Sequence, residues 1–574
     1  MSAHDAVAGS KWPIRSYADP AAIISKVVLL ILFIGLTNWE VTNRILEFWY
    51  LSNYKTLAIF VGIWAISLVA LAIVAFLPSF WMRLLWAIPI AASTFMGVLA
   101  LEVTRVHLTF YDVVLYWAER AHAGNAMEFY ADWIVIAGLK TAIGVIAILL
   151  PVTFRLYGAP VLMAVPITPF LVIVALLLVQ GGRGTRALPE QFTSLAMTGT
   201  VIVTDSFGEE TERAGVTMKP AGPGLAKHVF LIVEESLRGD FVDLNEPRGT
   251  TPFLASEQDR IANFGYAVAG NNCSLFSNLI LRYGAAPADV AGSVRKNPPV
   301  WRYAKAAGYK TIYLDAQRDS GELQNAMTML EREDIDHFEQ FSDLPFIERD
   351  LAVAKRLRAL AEAPEPSFVY VNKRGTHFPF SRAYPESIAR FHPVNDGNVI
   401  GDDREALVNA YKNSVLWSVD HFFKELLADD LKDVAVIYTS DHGQNLLDHD
   451  VVMTHCNPSA PHALEGLVPL FVITGDQSLQ SRFEEAARVN RHRLSHFQIF
   501  PTVLQLTGFD PAEVRERFPA GMLEPIEDNE VVRAFTFGSV VSPLGVNVRW
   551  KTMPDDLTTL VPAPQTPSPS LLTN

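Results

Sequence analysis

The chain has 574 residues, of which 47 are Lys or Arg and 61 are Asp or Glu, so its formal net charge is -14. Half of the residues are hydrophobic and only 19% are charged, which favours a protein with membrane-embedded segments and excludes disorder over most of the chain. The negative charge argues against a nucleic-acid-binding protein, because such proteins need a basic face. With only two cysteines, a disulfide-rich scaffold is also excluded.

The first 182 residues contain apolar runs of about 18 to 25 residues, each long enough to cross a bilayer as a helix. We count five, near 22–39, 57–77, 81–101, 133–154 and 160–180. An odd number of spans would place the two ends of the chain on opposite sides of the membrane. The aromatic-rich loop 102–132 is predicted to contain helices that lie in the membrane interface, with an ordinary polar connector as the alternative.

Composition divides the remainder of the chain into a linker, a soluble domain and a tail. Gly, Arg, Thr and Pro mark a linker over 183–226, and Pro, Thr and Ser mark a disordered tail over 552–574. In the soluble domain, 227–551, short runs of β-branched and aromatic residues alternate with helical patterns. This pattern predicts an α/β fold with a mostly parallel sheet sandwiched by helices.

Polar side chains follow the predicted strands where each strand ends. Glu234 and Glu235 end the first run, His377 follows the run that begins at residue 367, and Asp441 and His442 follow the run that begins at residue 434. The carboxyl ends of parallel strands meet at one edge of the sheet, where ligands bind. The carboxylates of Glu235 and Asp441 with the imidazole of His442 form a ligand set suited to zinc, or to manganese with a larger coordination number.

A Gly- and Asn-rich turn at 270–278 supplies a hydroxyl group for this site. Ser274 in this turn is predicted to lie at or near a helix N-terminus, where backbone N–H groups favour a phosphate oxyanion. A metal ion would acidify its hydroxyl and make Ser274 both a ligand and a nucleophile. The alternative is that Ser274 is an ordinary N-cap.

Taken together, these residues resemble the alkaline phosphatase/sulfatase superfamily, and most closely its membrane-anchored phosphoethanolamine transferases. In that family five transmembrane helices carry an extracytoplasmic catalytic domain. Its Glu-x-x-Arg-x-Asp motif is similar to Glu235, Arg238 and Asp240, so the resemblance makes Glu235, rather than Glu234, the metal ligand. Its Ser-Asp-His-Gly segment is similar to residues 440–443.

The nucleophile of the family is a Thr in a Thr-x-x-Ser pattern, which Ser274 and Ser277 match with Ser in place of Thr. The related sulfatases have Cys-x-x-Ser there, so Cys273 is an alternative nucleophile, although the spacing to Ser277 favours Ser274. His377 and His455 resemble two further histidines of the family. The resemblance implies that they do acid/base work or bind a second zinc ion, whereas we expect His449 and His462 to be bystanders.

The sequence also departs from the family. Relatives that modify lipid A usually carry several disulfides in this domain, whereas this chain has only two cysteines, Cys273 and Cys456. The sequence is equally consistent with a disulfide between them and with two free thiols. The headgroup contacts of the family are not reproduced near Arg318, Asp319 and Glu322.

The resemblance implies transfer of phosphoethanolamine from phosphatidylethanolamine to an envelope glycolipid, either lipid A or the lipopolysaccharide core. The reaction would use one or two zinc ions, or manganese, and a covalent phosphoserine intermediate. The enzyme would be a multi-pass protein of the bacterial inner membrane with a periplasmic catalytic domain. The alternatives are a phosphoglycerol transferase that uses phosphatidylglycerol, a phosphodiesterase or sulfatase, and a non-catalytic membrane scaffold.

Overall fold

The computed structural model of the protein describes residues 20–561, except for 105, 119, 121–129, 152–160, 207–212, 395–402, 449–452 and 458–460. The chain divides into two compact units, 1–113 with 132–203 and 114–131 with 204–574. We call the first the membrane unit, after the spans predicted in it, and the second the catalytic unit, after the catalytic residues predicted in it.

The membrane unit contains four helices that are long and apolar enough to cross a membrane, counted over the residues that the structure describes. They are α1 (Pro20–Thr37), α3 (Tyr54–Phe76), α4 (Phe80–Thr104) and α6 (Ala131–Leu149). The fifth predicted span is shorter and broken into α7 (Val161–Ala164), a 3₁₀ turn (Val165–Ile167) and α8 (Thr168–Gln180). Pro166 and Pro169 explain the break, because proline cannot donate an intrahelical hydrogen bond.

Among the described residues, this part of the chain also contains the helices α2 (Val41–Tyr50), α5 (Phe110–Ala118) and α9 (Glu190–Ser206). Helix α5 lies in the loop expected to contain interfacial helices, although residues 121–129 of that loop are outside the described residues. Helix α9 forms where the composition suggested a linker.

Polar side chains fasten the helices of the membrane unit to one another. The buried Lys26 of α1 donates hydrogen bonds of 2.9 Å to the carbonyl oxygens of Ile148 and Leu150, at the end of α6. Ser93 of α4 donates a hydrogen bond of 2.7 Å to the carbonyl oxygen of Glu190. The last carbonyls of a helix lack intrahelical partners, so the Lys26 contacts satisfy groups that apolar surroundings would otherwise leave unpaired.

A seven-stranded sheet forms the centre of the catalytic unit, in the order β2–β7–β6–β1–β5–β3–β4. Its pairings are parallel except those of β7, which runs antiparallel to β6 and β2. The prediction of a mostly parallel sheet is therefore confirmed. The strands are β1 (His228–Glu234), β2 (Ile261–Val268), β3 (Lys310–Asp315), β4 (His337–Gln340), β5 (Ser367–Asn372), β6 (Val434–Ser440) and β7 (Leu467–Thr474).

Helices cover both faces of this sheet, as the apolar runs of its strands require. Alternate side chains of β1 pack into different cores, Leu231 into the one that contains Trp301 and Ile232 into the one that contains Leu357. The helices are α10 (Pro252–Ser256), α11 (Ser274–Tyr283), α12 (Val290–Lys296), α13 (Val300–Ala306), α14 (Met329–Glu333), α15 (Phe346–Ala361), α16 (Arg404–Val415), α17 (Phe422–Leu426), α18 (Gln477–Asn490), α19 (Ile499–Leu506) and α20 (Pro511–Arg515).

A second, two-stranded sheet pairs β8 (Ala534–Phe537) with β9 (Arg549–Thr552) in antiparallel orientation. The predicted domain end at residue 551 therefore falls at the last strand. A 3₁₀ turn follows at Leu557–Leu560. From residue 562 onward, the predicted disordered tail is outside the described residues.

The sheet topology brings the predicted site residues together. In the order β6–β1–β5, Glu234 lies opposite Ser440, and Val233 lies opposite Asn372. The segments that follow these three strands therefore start side by side at the carboxyl edge of the sheet.

Candidate active site

Glu234 is the last residue of β1 and Glu235 directly follows it, and the two side chains have different surroundings. Glu234 Oε2 accepts hydrogen bonds from Lys373 and Tyr438, all of them buried. Glu235 Oε1 accepts from Ser236 Oγ at 2.7 Å and from Ser274 Oγ at 3.2 Å. Glu235 is thus the glutamate that lies in the site.

Asp441 and His442 follow β6 beside Glu235. His442 Nε2 is 3.5 Å from Glu235 Oε1 and 3.6 Å from Asp441 Oδ2. His442 Nδ1 lies 2.7 Å from the carbonyl oxygen of Gly443, so Nδ1 carries a proton and Nε2 points toward the carboxylates. Asp441 Oδ1 accepts from the backbone N–H groups of Ser236 and His442. Asp441 Oδ2 is buried and has no hydrogen-bond partner within the described part of the chain.

Ser274 lies between two of these groups. It is the first residue of α11, whose N-cap is Cys273, so Ser274 is not the N-cap that we considered as an alternative. Its Oγ is 3.1 Å from His442 Nε2 and donates a hydrogen bond of 3.2 Å to Glu235 Oε1. The hydroxyl therefore faces the carboxylate and the imidazole at the start of a helix, where a phosphate oxyanion is stabilised.

The two further histidines also lie at this site. The rings of His442 and His455 stack with centroids 4.3 Å apart, and those of His377 and His455 are 6.5 Å apart. One ligand atom from each of Glu235, His442 and His455 fits within 4.8 Å of the others. His462 instead accepts a hydrogen bond from the N–H of Leu464 and caps a 3₁₀ turn.

Burial and mutual charge perturb the pKa values of these groups. Burial raises the pKa of Asp441, and the charge of Glu235 raises it further. Burial would also raise the pKa of Glu235, but the hydrogen bond and charge of His442 hold it well below its usual value. Burial would lower the pKa of His442, but Asp441 and Glu235 raise it to about 9.

His377 and His455 differ from His442, because burial lowers the pKa of both imidazoles. For His455, the nearby His442 lowers the pKa further. Both rings are therefore neutral near pH 7 and can accept a proton.

The donor set fits a zinc ion. Buried carboxylate oxygens and imidazole nitrogens converge from β1 and β6, and the partnerless Asp441 Oδ2 is a buried acceptor that a cation would satisfy. The hydrogen bond from His442 Nδ1 to a backbone carbonyl orients the ring as in protein zinc sites.

A cavity of about 210 Å³ opens at this site. Its charged and polar lining comes from Glu235, Ser274, Gln317, Arg318, Gln324, Asn325, His377 and His455, and its apolar and aromatic lining includes Leu115, Tyr116, Tyr130, Leu275, Phe378 and Met453. A wider groove of about 610 Å³ beside Ser478 and Arg482 lies elsewhere and has none of the predicted site residues in its lining.

Two side chains at the site were missed from the sequence. Gln317 Nε2 donates to Glu235 Oε2 at 3.1 Å and to the carbonyl oxygen of Lys373 at 2.7 Å. Gln317 follows β3 by two residues, so the strand-end argument applied to β3 would have found it. His496 Nδ1 accepts from the N–H of Gly270 at 3.0 Å and lies 3.1 Å from Ser277 Oγ. We found no local sequence signal for His496.

The two cysteines form a disulfide, which decides between the alternatives left open by the sequence. Because Cys273 is bonded to Cys456, it has no thiol to act as a nucleophile. The disulfide joins the residue before Ser274 to the residue after His455.

Comparison with known proteins gives one family match and several named relatives. Residues 227–509 match the sulfatase family. The chain is 25% identical over 300 residues to the Kdo(2)-lipid A phosphoethanolamine 7''-transferase of Salmonella typhimurium, covering 49% of this chain and 52% of that relative. It is 26% identical over 309 residues to the phosphatidylethanolamine transferase Mcr-1 of Escherichia coli, covering 50% of this chain and 55% of the relative. The chain thus spans about half the length of the curated relatives it matches.

A solved structure is similar over more of the chain. The integral membrane lipooligosaccharide phosphoethanolamine transferase A from Neisseria meningitidis superposes with a TM-score of 0.54 and 18% sequence identity, covering 85% of this chain and 94% of that protein. At this identity the likeness concerns the fold alone, a membrane-embedded part joined to a sulfatase-like domain.

Proposed function

We propose that the chain is a zinc-dependent phosphoethanolamine transferase, because residues 227–509 match the sulfatase family. The donor is phosphatidylethanolamine, and the acceptor is an envelope glycolipid, lipid A or the lipopolysaccharide core. The observation that carries the proposal is the Ser274 hydroxyl, 3.2 Å from Glu235 and 3.1 Å from His442 at the start of a helix. The sequence relatives that carry transferase names support the choice of reaction.

In the first half-reaction, Ser274 Oγ attacks the phosphorus of the donor headgroup. The P–O bond to diacylglycerol breaks, diacylglycerol leaves with the electron pair and takes up a proton, and a phosphoethanolamine ester forms on Ser274. Glu235, Asp441 and His442 would hold the zinc ion, which acidifies a hydroxyl and neutralises phosphate charge when bound. The N-terminus of α11 adds backbone N–H groups for the phosphate oxygens.

In the second half-reaction, an acceptor hydroxyl or phosphate attacks the same phosphorus and Ser274 Oγ leaves. His377 and His455 are the proposed groups that move protons, because burial keeps both imidazoles neutral and able to accept a proton from the acceptor. The resemblance also allows these two histidines to bind a second zinc ion instead. The two half-reactions predict ping-pong kinetics.

The cavity suits a lipid donor because one side of it is apolar and aromatic. Leu115 and Tyr116 in its lining belong to α5, in the loop for which we predicted interfacial helices. We propose that this loop keeps the cavity at the bilayer surface, where the headgroup of a phospholipid is available. The corresponding location is the bacterial inner membrane, with the catalytic unit on the periplasmic side.

One feature of the cavity favours a second candidate, phosphoglycerol transfer from phosphatidylglycerol. Arg318 lines the cavity, and Glu235 is the only acidic side chain in the described lining. With Glu235 engaged by zinc, an ethanolamine ammonium would rely on the aromatic rings of the wall, whereas glycerol hydroxyls would accept hydrogen bonds from the guanidinium.

Intact-protein mass spectrometry tests the proposal. The full chain in detergent is incubated with zinc and either phosphatidylethanolamine or phosphatidylglycerol, with Ser274→Ala in parallel and Ser478→Ala, an exposed serine on the remote groove, as the matched control. We expect a phosphoethanolamine adduct on wild type and Ser478→Ala and none on Ser274→Ala.

The other outcomes separate the alternatives. A phosphoglycerol adduct would establish the second candidate. An adduct that persists in Ser274→Ala would refute the nucleophile assignment. If diacylglycerol is released without an adduct, the protein is a hydrolase, and if neither metal nor turnover is found, it is a scaffold.

A further inference from the structure

The disulfide of this chain lies at the active site. It connects Cys273 with Cys456, which are 183 positions apart in the sequence. Cys273 precedes the proposed nucleophile Ser274, and Cys456 follows His455. Both half-cystines line the catalytic cavity.

Hydrogen bonds of Asn272 run alongside the disulfide. The N–H of Cys456 donates to the carbonyl oxygen of Asn272 at 2.9 Å. The side-chain amide of Asn272 donates to the carbonyl oxygen of Asn457 at 3.1 Å and to Glu465 at 2.8 Å. The stretch 455–457 therefore lies along the turn 271–273, and the disulfide is its one covalent attachment to that turn.

The backbone at this point is in a conformation that needs support. The φ angle of Cys456 is 58°, in the left-handed region that residues other than glycine adopt at a cost. Such residues persist where surrounding contacts fix them, and they cluster at functional sites. Without the disulfide, only non-covalent contacts would join this stretch to the turn 271–273, and we expect the neighbouring His455 to lose its fixed position.

The position of His455 matters for the site. Its ring stacks on His442 at 4.3 Å, and its ligand atom belongs to the set within 4.8 Å that includes Glu235 and His442. Glu235 directly follows β1, and Asp441 and His442 directly follow β6, so the central sheet positions these three residues. Loss of the disulfide should therefore remove one imidazole from the site and leave the others in place.

We propose that the Cys273–Cys456 disulfide is a clamp that positions His455, so that the transferase is switched off by a thiol or phosphine reductant. In reduction by a dithiol, the S–S bond breaks and both cysteines become thiols, while the dithiol gives up two electrons and two protons and closes to a disulfide. The sheet and the side chains of Glu235, Asp441 and His442 stay in place. The activity assay of this inference rests on the proposed function, whereas the second measurement rests on metal binding.

The test compares wild type with His455→Ala, each oxidised and reduced, using the full zinc-loaded chain in detergent. The reductant is a phosphine, because dithiols bind zinc. The phosphine takes an oxygen atom from water and becomes a phosphine oxide, and the two hydrogens of the water convert the disulfide into two thiols. We expect reduction to lower the kcat of wild type by about tenfold or more, with the KM for the donor within about twofold. We expect oxidised His455→Ala to show the same loss and reduction to add nothing, because the two changes act through one side chain.

A purely structural disulfide predicts a different result, since reduction would then lower the activity of wild type and His455→Ala by the same factor. That outcome, or a reduced wild type with unchanged kcat, would overturn the proposal. The variant Cys273→Ala/Cys456→Ala, made without any reductant, should reproduce the reduced wild type. Thermal unfolding of each sample confirms that the fold is intact at the assay temperature.

Cobalt binding gives a readout that does not depend on the reaction. In protein loaded with Co²⁺, we expect reduction to change the visible spectrum of wild type and to leave that of His455→Ala unchanged. An unchanged wild-type spectrum would count against the clamp. If oxidised wild type transfers no headgroup from either phospholipid, the proposed function fails, and the cobalt spectra alone decide whether the disulfide positions His455.

Discussion

Zinc binding should depend steeply on pH, because the metal must displace a proton from His442. Burial alone would lower the pKa of this imidazole, but Asp441 and Glu235 raise it to about 9 in the metal-free protein. Proton and metal compete for Nε2, so affinity is lost as the pH falls below 9. Each unit of pH below 9 should weaken binding by about tenfold or more, because the proton on His442 and, at lower pH, that on Asp441, whose pKa is also raised, must both be displaced.

The assay is competition with a chromophoric chelator in the full detergent-solubilised chain, with the chelator constant corrected at each pH. Calorimetry in two buffers of different ionisation enthalpy should show that metal binding releases protons near neutral pH. His462→Ala, which alters a histidine outside the ligand set, should reproduce the wild-type slope. A flat affinity between pH 7 and pH 9, or no proton release, would refute the reasoning.

Two further predictions concern stability and positioning. Glu331→Ala removes a carboxylate that accepts hydrogen bonds from the buried Arg282 and from Tyr283. The free energy of unfolding should therefore fall by about 3 to 5 kcal/mol. An unchanged unfolding midpoint would contradict this prediction. His496→Leu should lower kcat about tenfold with KM unchanged, because His496 contacts Gly270 and Ser277, which flank Ser274 on the preceding turn and on α11. His496→Asn should recover most of the rate, since its amide oxygen can accept from Gly270; equal losses would make the role merely structural.

The α/β fold and its strand-end residues could be predicted because the relevant signal is local. Short apolar runs identify strands buried on both faces, and parallel strands bring their carboxyl ends to one edge. Glu235 and Asp441 were therefore expected to lie together, and the structure has them there beside His442. Only the resemblance to a known motif identified Glu235, rather than Glu234, as the metal ligand, because both residues follow the same apolar run.

The features that could not be predicted depend on tertiary proximity or on backbone chemistry. Whether Cys273 and Cys456 pair is decided by how the fold brings together positions 183 residues apart, which no local pattern encodes. The fifth apolar run has the composition of a span, but composition counts apolar side chains and does not register that Pro166 and Pro169 lack an N–H.

The pair Glu234–Glu235 explains how two carboxylates can adjoin a metal centre without both entering it. Along β1, successive side chains point to opposite faces of the sheet. The buried Glu234 carboxylate meets the ammonium of Lys373 and the hydroxyl of Tyr438. Glu235 faces the cavity, where its charge already raises the pKa of Asp441. Because Lys373 balances Glu234, the charge left for a cation to neutralise is that of Glu235 and Asp441, the two carboxylates that a zinc ion would bind.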